Sequence, residues 1–81
     1  MEYIIASHKA IIQSGWKPAS NDVVDGRVVV NENELRYRYP QDESLEDSAA
    51  RVDGVVVTRN EALDFLSSRK TFEQIKNKSQ E

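Results

Sequence analysis

The feature that most constrains this chain is a phrase it uses twice. Val24-Asp25-Gly26-Arg27-Val28-Val29-Val30-Asn31-Glu32-Asn33-Glu34-Leu35 resembles Val52-Asp53-Gly54-Val55-Val56-Val57-Thr58-Arg59-Asn60-Glu61-Ala62-Leu63, with one extra residue before the valines of the first copy and one after the glutamate of the second. An Asp-Gly pair favours a tight turn, and a run of β-branched side chains fits a pleated, half-buried surface. Each copy therefore reads as a turn that feeds a buried strand. Two copies fall short of the roughly three stacked repeats that a solenoid needs, so a repeat architecture is not expected.

The flanks of these strands set the remaining expectations. Glu34-Leu35-Arg36-Tyr37-Arg38-Tyr39 alternates strictly, which predicts the second strand of a hairpin closed at Asn31-Glu32-Asn33 and ended by Pro40. Leu35, Tyr37 and Tyr39 then share one face, and Glu34, Arg36 and Arg38 the other. Ile4, Ile5, His8, Ile11, Ile12 and Gly15 or Trp16 recur at helical spacing, predicting an amphipathic helix over residues 3–14. A left-handed Gly15 stops it, Trp16 packs back on Ile11, and Lys17-Pro18 prevents resumption. Residues 41–52 are a polar connection in which 44–50 form either a short helix or a mobile loop. Thr58 with Glu61, and Thr71 with Gln74, match the reciprocal capping pattern that starts helices, with Ser67-Ser68 as an interruption between them.

These elements predict an α+β fold: a small single domain with a three- or four-stranded antiparallel sheet, an N-terminal helix and one or two C-terminal helices packed on one face. The domain is expected over residues 1–76, with 77–81 a frayed tail. At 81 residues such a domain buries only about 60% of its unfolded surface. Its expected core is Ile4, Ile11, Ile12, Trp16, Val28, Val30, Leu35, Tyr37, Val55, Val57, Leu63, Leu66 and Ile75. Val29 and Val56 have the wrong parity for that face. If exposed, they give each valine strand an apolar edge suited to a homodimer or a strand-added complex.

Little in the sequence supports catalysis. With no cysteine there is no disulfide, thiolate zinc site or cysteine nucleophile, and a reducing, cytoplasmic compartment is the natural setting. No apolar leader or membrane-length run is present. His8 is the single histidine and falls on the inferred core face, so it reads as a partly buried structural residue. The three glycines lie in three separate turns, and no phosphate loop or nucleophile elbow occurs. No enzymatic activity, cofactor, metal or small-molecule substrate is expected.

Charge points instead to a partner. Of the net charge of −3, residues 1–40 contribute nothing, with five basic and five acidic side chains, while 41–54 hold one basic and five acidic ones. Asp42, Glu43, Glu46 and Asp47 therefore read as a protein-binding acidic segment, able to present carboxylates to a basic groove as a regulator or inhibitor would. Small, cysteine-free, acidic chains of this kind associate compositionally with phage or mobile-element regulators. The alternative is a DNA-binding factor that uses Arg27, Arg36 and Arg38 on a hairpin face, or Arg69, Lys70, Lys76 and Lys78 on the C-terminal helices.

Overall fold

Three times in this chain a strand runs straight into a helix, and each time a capping side chain stands at the junction. The computed structural model describes residues 2–18, 22–39 and 41–79. Strand β1 (Tyr3–Ser7) leads into α1 (His8–Gln13), β2 (Arg27–Asn31) into α2 (Glu32–Arg38), and β3 (Val55–Val57), through Thr58, into α4 (Arg59–Leu66). Ser7, Asn31 and Thr58 each turn a side-chain oxygen back to accept the backbone N–H three residues on, of Ala10, Glu34 and Glu61. That bond satisfies one of the donors a helix start leaves orphaned, so each strand can end without a loop. The short α3 (Leu45–Ala50) precedes β3, and α5 (Phe72–Ser79) follows α4.

The strands form one antiparallel sheet in the order β2-β1-β3. Because β1 is central, its alternate side chains feed two cores. Ile4 and Ala6 pack with Ile11, Trp16, Val28, Val30, Leu35, Leu45, Ala49 and Val52, under α1, α2 and α3. Ile5 packs on the other side with Val57, Ala62, Phe65 and Ile75, under α4 and α5. The α+β class and antiparallel sheet are as expected, with three strands among the described residues; the helices divide between both faces.

That division corrects several expectations. Residues 3–7 are a strand and not the first turn of a helix, since Ser7 caps α1 and a strand buried on both faces tolerates consecutive apolar residues. Residues 34–38 are helical and not the second strand of a hairpin: Asn31 caps α2, Glu32 and Glu34 lie in its first turn, and Arg36 and Arg38 lie in its last. Only Leu35 of that helix is buried, so Tyr37 leaves the core and is 83% exposed. Ile12 and Leu63, also expected inside, are exposed, while Ile5, Ala6 and Phe65 are fully buried. Val29 and Val56 are half-buried against the two clusters, one on each side of the sheet. Pro40, expected to end a strand, and the end of the expected tail, Gln80 and Glu81, lie outside the described residues; α5 runs on to Ser79.

The stop signals behave as read. At the end of α1 the Trp16 N–H donates to the Ile11 carbonyl and the Gly15 N–H to that of Ile12, with Gly15 at φ 88. Both capping boxes close: Thr58 with Glu61, and Thr71 with Gln74. The interruption at Ser67-Ser68 is a second cap of the same kind, with Ser68 at φ 63 and the N–H groups of Ser68 and Arg69 on the carbonyls of Phe65 and Asp64.

The repeated Val-Asp-Gly does two different jobs. Val24 and Arg27 exchange both backbone hydrogen bonds across Asp25 (φ 51) and Gly26 (φ 74), a two-residue turn in which both central residues are left-handed. Asp53 is also at φ 51, but there it closes α3: its N–H donates to the Ala50 carbonyl and that of Gly54 to Ala49. Gly54 needs its hydrogen for room. A Cβ there would lie 2.8 Å from Ile4 Cγ2, 3.0 Å from the Ile5 carbonyl oxygen and 3.2 Å from Ala6 Cα. Around Gly26 the space is open and only φ is restrictive.

The two glycines therefore predict different rescue behaviour in urea unfolding. Gly54→Ala should lose about 1–3 kcal/mol through overpacking against backbone, and Gly54→Asn at least as much. Gly26→Ala should lose about 1–2 kcal/mol from its left-handed backbone, and Gly26→Asn should recover part of that, because Asn tolerates this region. Wild-type stability in Gly54→Ala would show that β3 does not approach β1 this closely.

Candidate functional site

The acidic segment is ordered, and one of its four carboxylates does the ordering. Ser44 caps α3 by accepting from the Asp47 N–H, which places Glu46 and Asp47 in its first turn, where a carboxylate complements the helix dipole. Glu43 turns inward. Its carboxylate accepts from Arg51 Nε and Nη2, both at 2.9 Å, and its Oε1 also accepts from the buried Ser48 hydroxyl at 2.7 Å. The fork-on-fork contact with Arg51 is the main reason, and the Ser48 bond the second, that the Glu43 carboxyl is lowered from 4.5 to about 2. Arg51 lies over the Tyr39 ring, 5.5 Å from its centroid, and the Tyr39 hydroxyl accepts from Trp16 Nε1 at 3.4 Å. The segment is thereby closed on itself by Glu43 and, through Arg51, set against Tyr39, which packs on the core under α1 and α2.

Asp42, Glu46 and Asp47 are left exposed, with no ion pair among the described residues. Sequence reasoning grouped all four acids together and missed Arg51 and Ser48. Helical spacing gave no signal for the pair, because Glu43 precedes the Ser44 cap and Arg51 is the residue that ends α3.

Five of the seven basic residues considered for nucleic acid, Arg27, Arg36, Arg38, Arg69 and Lys70, do not form a stripe. Arg27 is on β2, where its Nη1 donates to the Asp53 carbonyl at 2.7 Å, its Nη2 lies 3.6 Å from the Asp53 carboxylate, and its guanidinium stacks 3.5 Å from the centroid of Phe72. Arg36 and Arg38 are on α2, which covers the opposite face from Phe72. Arg36 pairs with Glu32 one turn back at 3.2 Å, and Arg38 lies 5.3 Å from the centroid of the Trp16 ring. The Glu32 carboxyl is lowered by the Glu2 backbone N–H first and by Arg36 second. In the α4–α5 connection Lys70 pairs with Asp64 at 3.8 Å, while Arg69 stands exposed. The hairpin face that was to carry Arg27, Arg36 and Arg38 does not exist, because α2 replaces its second strand.

The sheet edges are nearly closed. The Glu32 N–H to Glu2 and His8 N–H to Gly26 bonds fix which β2 residues bond to β1, so Val28 and Val30 face inward and Arg27, Val29 and Asn31 outward. Arg27 is already taken by Val24. On β3 the outward residue is Val56, flanked by the N–H groups of Gly54 and Thr58, which donate to the Ala49 carbonyl and to Glu61. A strand docking on β3 would find one valine's hydrogen bonds at its centre and occupied donors on both sides, while on β2 the donor of Arg27, on one side of Val29, is occupied, a common protection against edge pairing.

Two hollows lie on the surface of the described residues. One, of about 200 Å³, lies among Trp16, Lys17, Glu34, Tyr37 and Arg38; the other, of about 330 Å³, among Glu61, Arg69, Lys70, Gln74 and Ile75. Among the described residues no group of three or more His, Asp or Glu is placed to hold a metal ion. His8 is half-buried at the first position of α1. Among the described residues no helix is long and apolar enough to cross a membrane. No family model, curated protein or solved structure matches this chain.

The Glu43 clamp predicts a defined acid sensitivity. A carboxyl lowered on folding contributes stability that is fully present above its unfolded value of 4.5 and is lost as pH falls towards about 2. In urea unfolding of the wild type and Glu43→Gln, the gap between them should be widest near neutral pH and close through that window. A gap that stays constant down to the acid end would mean that the Glu43–Arg51 contact does not form in solution.

Proposed function

We propose that this chain is a non-enzymatic, cytoplasmic protein-binding module that presents Asp42, Glu46 and Asp47 to a basic surface of a regulatory target. The observation that carries this reading is the division of labour in the acidic segment: Glu43 is spent on Arg51 and Ser48, and its neighbours stay exposed on a capped helix start. Charges held on a fixed scaffold lose less conformational freedom on binding than charges on a loose loop, and they steer a cationic partner during approach. Binding through a sheet edge has less support, because the donors flanking Val56 on β3 and that of Arg27 on β2 are already occupied. The nucleic-acid alternative has less as well, with Arg27, Arg36 and Lys70 each paired to a carboxylate. An inhibitory action and an origin in a phage or mobile element belong to this proposal as its compositional part.

The test is capture of partners by the tagged chain from its native host, with and without nuclease. Asp42→Asn/Glu46→Gln/Asp47→Asn and Glu43→Gln are run alongside, each checked for folding by circular dichroism. The expected result is a nuclease-insensitive protein, released by moderate salt and held at least about tenfold more weakly by the triple variant. Recovery of nucleic acid alone, or of a protein held equally well by the triple variant, would overturn the proposal.

A further inference from the structure

The two Asp-Gly pairs are chemically identical and structurally opposite, and this difference governs a covalent reaction open to both. In an Asp-Gly pair the glycine nitrogen can attack the aspartate Cγ. An N–Cγ bond forms, a Cγ–O bond breaks, and the carboxyl oxygen leaves with two protons as water, closing a five-membered succinimide. Water then reopens the ring. Attack at the former Cγ restores aspartate; attack at the main-chain carbonyl leaves isoaspartate, with the backbone running through Cβ and Cγ. The composition is unchanged and no oxidant or reductant takes part. The reaction needs a glycine N–H that is not held, a carboxyl that is not held, and room for the peptide to swing.

We infer that Asp25-Gly26 is a site of spontaneous conversion to isoaspartate in the folded protein, and that Asp53-Gly54 is protected. Asp25 and Gly26 are both exposed, and nothing lies within 4 Å of where a Gly26 Cβ would be. The Gly26 carbonyl accepts from His8, but among the described residues neither its N–H nor the Asp25 carboxylate has a partner. The turn is held by the one pair of Val24–Arg27 hydrogen bonds and by the His8 bond to the Gly26 carbonyl, none of which engages the Gly26 N–H or the Asp25 carboxylate. At the second site every requirement fails. The Gly54 N–H donates to the Ala49 carbonyl at 2.9 Å, the Asp53 carboxylate is paired with Arg27, and the Asp53 carbonyl accepts from the same guanidinium at 2.7 Å. Gly54 itself is wedged against β1, with Ile4 and Ile5 at contact distance.

The product changes more than the turn. Isoaspartate adds a backbone methylene between Val24 and Arg27, so the two-residue turn no longer closes in register. Arg27 begins β2, holds Asp53 and stacks on Phe72 of α5, so the change propagates to the α3–β3 junction and to α5.

The test is prolonged incubation of the intact folded protein at body temperature and mildly acidic pH. Digestion and electron-transfer fragmentation, which distinguishes isoaspartate from aspartate, follow, with a parallel incubation in urea. Isoaspartate at 25 should outpace that at 53 by about tenfold or more in the folded protein, the factor that one protecting hydrogen bond commands, and the two rates should converge in urea. Comparable rates in the folded protein, a difference that persists in urea, or no product at 25 while the urea sample accumulates it, would each overturn the inference.

Discussion

The structure depends on one strand having no solvent side. Ile4, Ile5 and Ala6 of β1 are consecutive and have no exposed surface, so apolar material must arrive from both directions. The order β2-β1-β3 follows from this need, since an edge strand would be open along one side. So does the division of the helices into α1, α2 and α3 on one face and α4 and α5 on the other. Gly54 belongs to the same constraint: the chain returning from α3 to start β3 has to pass within contact of Ile4 and Ile5.

What was legible in the sequence, and what was not, divides along the same line. The glycine stop after α1, the two capping boxes, the valine strands and the Val-Asp-Gly turns are local events, each set by a few adjacent residues, and they hold. Spacing rules misled where a residue's setting was non-local. Ile4, Ile5, His8, Ile11 and Ile12 fit a helix because a strand buried on both faces hides its alternation, and only the Ser7 cap shows where the strand ends. Leu35, Tyr37 and Tyr39 alternate like a strand, yet the cap from Asn31 to Glu34 starts a helix there. The internal repeat held the remedy. Its second copy reads as a strand entering a capped helix, and in the structure the first copy does the same, with Leu35 and Ala62 buried four residues after their caps.

The candidate site was legible as a concentration of charge but not as a geometry. Composition located the acids between residues 42 and 47; it could not show that one of them is a strut. The difference arises from Arg51 and Ser48, which reach Glu43 only once α3 has formed. On the cationic side, the count of arginines was right and the grouping wrong, because a helix and a strand distribute alternate residues differently.

The second core has a consequence for how the chain comes into being. Ile5 is made early, but residues that cover it, Phe65 and Ile75, are made late. During synthesis from the N-terminus, one side of β1 stays bare until α5 has left the ribosome, and β1 has no second neighbour until β3 exists. The nascent chain therefore carries an unsealed apolar face from the synthesis of β1 until that of α5, and the contacts that seal it span a large sequence separation. Folding of this protein is in that sense a single closing event, with α5 as the last piece to close over Ile5.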